Sequence, residues 1–225
     1  MRVSRIFWIA SAAALCAGAA SAAPLPTWIE APTYAQAAAV YPAKDKAHPI
    51  AGAATLTCTI TYSGRLSDCE TLREGPTGHG FDEAAHKLAA YMRLQTGPGM
   101  SSGDEVRVTF GFLPEMASGA ATLESNPVWV EIPPISDFQA TFPKTANGVN
   151  HVVVVLACDV QAGGALSGCK VDSEDPAGQG YGQAALTLGP KFRVGLMTGD
   201  GLPTVGAKVR VPIRYELTPA PPPKS

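Results

Sequence analysis

Cys58-Thr59-Ile60-Thr61-Tyr62-Ser63-Gly64-Arg65-Leu66-Ser67-Asp68-Cys69 recurs, one hundred residues on, as Cys158-Asp159-Val160-Gln161-Ala162-Gly163-Gly164-Ala165-Leu166-Ser167-Gly168-Cys169. Each stretch has turn residues between two β-compatible runs, Thr55 to Tyr62 and Leu66 to Leu72 in the first, His151 to Val160 and Leu166 to Val171 in the second, and so predicts a hairpin. If Ser63-Gly64 form a two-residue turn, opposed residues have numbers summing to 127, as Cys58 and Cys69 do, and the second copy repeats this about Gly163-Gly164 with 327. Opposed Cα atoms lie about 4.5 to 5.5 Å apart across an antiparallel pair, within reach of a disulfide. Disulfides Cys58–Cys69 and Cys158–Cys169 are the expectation; a three-residue loop with a bulge would shift the register.

Working outward, the same order of residues recurs on both sides. Trp28-Ile29-Glu30-Ala31-Pro32 returns as Trp129-Val130-Glu131-Ile132-Pro133, and Tyr41-Pro42 as Phe142-Pro143. Phe81, Ala84, Ala85, Leu88 and Met92 line one face of a helix, and Tyr181, Ala184, Ala185, Leu188 and Phe192 repeat the stripe. Gly189-Pro190 should end the second helix near Leu188. Val106-Arg107-Val108 returns as Val209-Arg210-Val211 in the alternating strands Glu105 to Phe112 and Lys208 to Tyr215. With short helices over Pro32 to Val40 and Pro134 to Ala140, each copy reads α-β-β-α-β. The fold class expected is α+β: two tandem modules, each a three-stranded antiparallel sheet with helices, over residues 23–115 and 127–217. Residues 116–126 read as a linker, and 218–225 as a Pro-rich extended tail.

The chain has 225 residues, 46% hydrophobic and 16% charged, with a net charge of -2. That leaves no long basic run to neutralise phosphates, so nucleic acid is not an expected partner. Arg2 and Arg5, an uncharged stretch from Ile6 to Ala20, and Ala20-Ser21-Ala22 have the form of a signal peptide over 1–22. Cleavage would remove Cys16 and leave four cysteines, the even count expected of disulfides in an exported, periplasmic chain. Ten residues separate the cysteines of each pair with no His between them, so neither pair reads as a metal site.

No cofactor, metal or catalytic residue is assigned. Asp82 and His86 sit at i, i+4, with His79 and Glu83 beside them, and an acid/base pair is conceivable there. The second copy has Gln179, Gly182, Gln183 and Leu186 at those places, and the cluster reads as a solvated helix N-terminus. Trp28 and Trp129 read as core aromatics before binding aromatics.

Tyr41-Pro42, a hairpin with a Gly turn, Phe81-Asp82-Glu83-Ala84-Ala85, Met92-Arg93-Leu94 and a final alternating strand together resemble the C-terminal domain of TonB. The second copy carries Phe142-Pro143, Ala184-Ala185, Phe192-Arg193-Val194 and Val211-Pro212-Ile213. The resemblance implies a non-enzymatic periplasmic protein that binds a protein or peptide partner, such as an outer-membrane or periplasmic protein, by strand addition at a sheet edge. It places the edge at Glu105, Arg107 and Val108 or at Lys208, Arg210 and Val211. A second reading is an energy transducer serving outer-membrane receptor transport from an uncleaved N-terminal anchor; no long Pro-rich spacer follows residue 22. The mature chain is expected not to span a membrane.

Overall fold

The computed structural model describes residues 27–97, 99–120, 123–124, 127–143 and 151–216. The leader over 1–22 and the tail over 218–225 lie outside the described residues. The fold is mixed α+β, built on two three-stranded antiparallel sheets, each pinned by one disulfide.

In the first half, β1 (Trp28–Glu30) leads to α1 (Tyr34–Ala39), whose start is fixed by a capping box between Thr33 and Gln36. The long hairpin β2 (Gly52–Ile60) and β3 (Leu66–Gly75) follows, then α2 (Phe81–Ala89), β4 (Arg93–Leu94) and β5 (Glu105–Phe112). The sheet order is β3-β2-β5, and β1 pairs with β4 beside it. The second half has β7 (Trp129–Glu131), α3 (Ile135–Thr141), β8 (His151–Val160), β9 (Leu166–Asp175), α4 (Tyr181–Leu188), β10 (Arg193–Val194) and β11 (Lys208–Glu216). Its order is β9-β8-β11, with β6 (Leu123–Glu124) added in parallel to the outer side of β11.

Strand alternation gives β2 its two faces: Ala54, Leu56, Cys58 and Ile60 are buried, while Thr55, Thr57 and Thr59 lie on the open face. The helical stripe covers the inner face, with Phe81, Ala85, Leu88 and Met92 fully buried. Each large side chain removed from water this way contributes about 1.5 to 3 kcal/mol. In the second half Tyr181, Ala185 and Leu188 do the same over Val154 and Leu156. There α4 ends at Leu188 and a 3-10 turn carries the chain through Gly189–Lys191, as the Gly-Pro pair requires. Trp28 and Trp129 pack against the two cores as half-buried aromatics, Trp129 edge-on to Phe192.

The hairpin turn differs from the two-residue form. Thr61 and Arg65 close a three-residue loop, with Gly64 left-handed at φ 77°. This is a turn followed by a left-handed residue, which leaves an extra residue on the second strand. The opposition near the loop is therefore Ile60 to Leu66 and Thr59 to Ser67. A bulge at Asp68, the described non-glycine residue with positive φ (47°), then moves the register by one, so that Thr57 faces Glu70 and the cysteines meet at 4.0 Å between Cα atoms. The second hairpin makes the same two shifts, with Gly164 in the loop and Gly168 in the bulge. The cysteine pairing thus stands for a different reason: two one-residue shifts cancel.

The two halves pack together. Met197 and Leu202, from the loop between β10 and β11, and Ala207 join the core of the first half. Met116, at the start of the segment read as a linker, is buried there too, in a short 3-10 helix over Pro114–Ser118.

Candidate functional site

The outer strand β5 lies beside the loop between β10 and β11. The Gly111 N–H donates to the Gly201 carbonyl at 2.9 Å, so the Gly111 backbone points away from β2. The β2–β5 register is unbroken from Gly52↔Phe112 to Thr59↔Glu105, and strict alternation then directs the N–H groups of Thr109 and Arg107 to that same outer edge. Val106, Val108 and Phe110 send their side chains into the core and their backbone groups to β2.

Gly201 sits hard against this edge. With φ at +80°, a Cβ there would come within 2.1 Å of the Thr109 carbonyl oxygen, and a Cβ at Gly111 within 2.7 Å of the Asp200 carbonyl. Gly201 thus abuts the Thr109 carbonyl. Beyond it a groove of about 640 Å³ runs beside Arg107–Thr109. Trp28 and Ile29 of β1 line it together with Val128, Val130 and Met197. Ile29, Val128 and Val130 are 43%, 45% and 64% exposed, an apolar wall open to solvent.

Of the edge residues named from the sequence, Glu105, Arg107 and Val108 lie on β5, one of the two outer strands of its sheet. Val108 is buried, and its N–H belongs to the inner ladder; Glu105, Arg107 and Thr109 face outward, the last not singled out from sequence. Lys208, Arg210 and Val211 lie on β11, where β6 pairs at Lys208↔Leu123 and Val209↔Glu124. Arg210 contacts Asp172 at 3.4 Å, and Lys208 pairs with Asp159.

The ionisable cluster near α2 is spread over separate partners. His79 Nδ1 lies 3.0 Å from the Asp45 carboxylate, His86 Nε2 lies 3.0 Å from the Thr71 hydroxyl, and Asp82 accepts from the Glu83 N–H. The structure records no Asp82–His86 bond. Glu74, missed from sequence, accepts N–H bonds from Gly78, Gly80 and Phe81 at 2.7, 2.8 and 2.9 Å and so caps the start of α2. Its partial burial works to raise its carboxyl pKa, but the backbone donors Gly78, Phe81, Gly80 and Asp82 together hold it below the usual value. Glu174 caps α4 through the Gly182 N–H at 3.1 Å. Glu recurring six residues before each helical Gly-Phe or Gly-Tyr was the available signal.

In the second half, the Tyr181 and Tyr215 rings pack with centroids 4.9 Å apart and planes tilted by 51°, and neither buried hydroxyl finds a partner among the described residues. Burial, with Tyr181 beside it, pushes the Tyr215 phenol up to about 12. Among the described residues no group of three or more His, Cys, Asp or Glu is placed to hold a metal, and no helix is long and apolar enough to cross a membrane.

Fold and site together define an α+β protein of two disulfide-pinned sheets with a groove between them. An uncharacterised protein of Caulobacter vibrioides is 32% identical over 84 residues, which is 37% of this chain and 84% of that protein. The chain belongs to the family of that Caulobacter protein. No family model matches. The solution structure of the Pseudomonas aeruginosa TonB C-terminal domain overlaps 42% of this chain and 87% of that one, at 24% identity and a TM-score of 0.26. A score that low assigns nothing to this chain.

Proposed function

We propose that this chain is an exported, periplasmic, non-enzymatic protein of two TonB C-terminal-like modules that binds an extended segment of a partner protein by strand addition. The observation that carries the reading is the edge of β5: backbone donors at Arg107 and Thr109 face a groove, next to Gly111, whose donor is already satisfied by another segment's carbonyl. An unpaired strand edge is a template for an added strand, main-chain bonds giving affinity and alternate side chains giving selectivity. The family motifs around Tyr41-Pro42, Ala84-Ala85 and Met92-Arg93 support the same reading.

Export is supported by the leader-like N-terminus and by the two disulfides, which form and persist in oxidising compartments. The non-enzymatic part is supported by His79, His86 and Asp82, which are engaged separately with Asp45, Thr71 and the Glu83 N–H.

Panning a phage library of linear heptapeptides against the purified protein tests the binding function. Enrichment of peptides that bind in solution and slow amide exchange at Arg107 and Thr109 is expected; failure to enrich any solution binder rejects it. The mass of the N-terminal fragment from cells tests export, with a chain beginning at Ala23 expected.

A further inference from the structure

We infer that the two halves have divided the work: the first offers the edge of β5 to a partner segment, and the second, the edge of β11 blunted from Lys208 to Pro212, contributes apolar side chains beside the groove that read that segment. This rests on the binding function proposed above and adds stoichiometry, place and partner chemistry to it.

The repeat makes the comparison residue by residue. Arg107 and Thr109 of β5 correspond to Arg210 and Pro212 of β11. The β8–β11 register is unbroken from Asp159↔Lys208 to His151↔Glu216, so the same alternation points the backbone of Arg210 and Pro212 outward. Proline has no N–H, and an outward position is where a strand tolerates it. The donor that Thr109 presents is therefore absent from the second edge. The start of that edge is covered by β6, which pairs in parallel with Lys208 and Val209. A proline and a strand from the same chain are two recognised ways of blunting an edge.

The matched arginines Arg107 and Arg210 differ as well. Arg210, Lys208 and Arg193 contact Asp172, Asp159 and Glu131. Arg107 is exposed and makes no ion pair with a described residue. A free guanidinium beside an open strand selects a carboxylate, most strongly in bidentate geometry. Val128 and Val130 of the second half and Ile29 of β1 also line the groove, partly exposed.

The occupant is therefore an extended partner segment carrying apolar side chains toward those residues and an acidic side chain opposite Arg107. The edge from Glu105 to the Thr109 N–H spans about five residues at roughly 3.3 Å each, which fits a segment of about that length.

The test uses the full chain and the acidic, apolar heptapeptides that panning enriches, titrated by calorimetry against wild type, Thr109→Pro, Arg107→Glu and Arg210→Glu. One peptide per chain is expected, weakened at least tenfold by Thr109→Pro and by Arg107→Glu and unchanged by Arg210→Glu. A peptide with its acid changed to Lys should bind Arg107→Glu better than wild type does. Proline occupies the equivalent place in the second sheet naturally, so Thr109→Pro should fold; should circular dichroism show otherwise, the charge swap decides. Two peptides per chain, equal losses at Arg107 and Arg210, or full affinity in Thr109→Pro would each overturn the division while leaving peptide binding intact. Sedimentation showing a dimer that Arg107→Glu dissolves would overturn it differently, assigning the groove to a second copy. Panning that yields no binder would instead remove the binding function itself.

Discussion

The N–H of Gly111 donates to the carbonyl of Gly201 across 2.9 Å, tying the outer strand of the first sheet to a loop of the second half. The contact sets where the open part of the edge ends and brings Met197 and Leu202 into the first core. It needs glycine on both sides, because a Cβ at either position would meet a backbone oxygen.

Gly201→Ala should therefore lift the loop from β5. Left-handed strain costs on the order of 1 to 3 kcal/mol, and loss of the packing below adds to it. Urea unfolding measures this, and Gly199→Ala is the control: nothing lies within 4 Å of its Cβ, and a change within about 0.5 kcal/mol is expected. Equal effects at the two glycines would contradict the close approach.

Each disulfide closes a loop with a sequence separation of 11, which in the chain-entropy picture is worth about 2 to 3 kcal/mol. Replacing Cys58 and Cys69 together by Ala should lower stability by that order, and the corresponding pair in the second half by a similar amount. Denaturant midpoints with and without reductant provide the check; wild type under reductant should approach the four-Ala variant.

Glu74→Gln should destabilise the protein at neutral pH by on the order of 1 kcal/mol, the usual worth of a side-chain cap. The folded Glu74 pKa is depressed, so its contribution is present above the unfolded-state value and is lost as pH falls through the folded one. The gap between wild type and variant should narrow below about pH 4, close to the ordinary Glu value. A gap that stays constant to pH 2.5 would show that the carboxylate charge is not what caps α2.

Tyr215 titrates in the opposite sense. Its folded pKa is raised to about 12, so its contribution is complete below the ordinary phenol value of about 10 and is lost as pH climbs from there. Ultraviolet titration should show a phenol ionising near pH 12, with the Tyr41 and Tyr181 phenols also raised by burial. Tyr215→Phe should remove that late step and, by deleting a buried hydroxyl with no partner among the described residues, be neutral or stabilising by up to about 1 kcal/mol near pH 7. A loss above 2 kcal/mol would mean that the hydroxyl is satisfied.

Much of the architecture was legible from residue order alone. The stripe through Phe81, Ala84, Ala85, Leu88 and Met92 is buried as its spacing requires; β5 runs over Glu105–Phe112, the range read from alternation, and β8 over His151–Val160, the range read as a β-rich run before a turn. The cysteine pairs were readable because a register counted from one turn survives two compensating shifts. The shifts were not readable, since Asp68 in a left-handed conformation has no distinctive local pattern. Of the groove, Trp28, Arg107 and Val108 were named, but Thr109, Val128 and Met197 were not.

The sequence by itself determined the periodic elements, the repeat and the covalent pairing, because each is set by spacings of a few residues or by the recurrence of a whole block. Only the tertiary structure decided which edge is open. That depends on Gly201 reaching Gly111 and Leu123 reaching Lys208, contacts between segments some 90 residues apart in the chain. No local spacing encodes which loop of one half comes to rest on which strand of the other; packing of the two cores does.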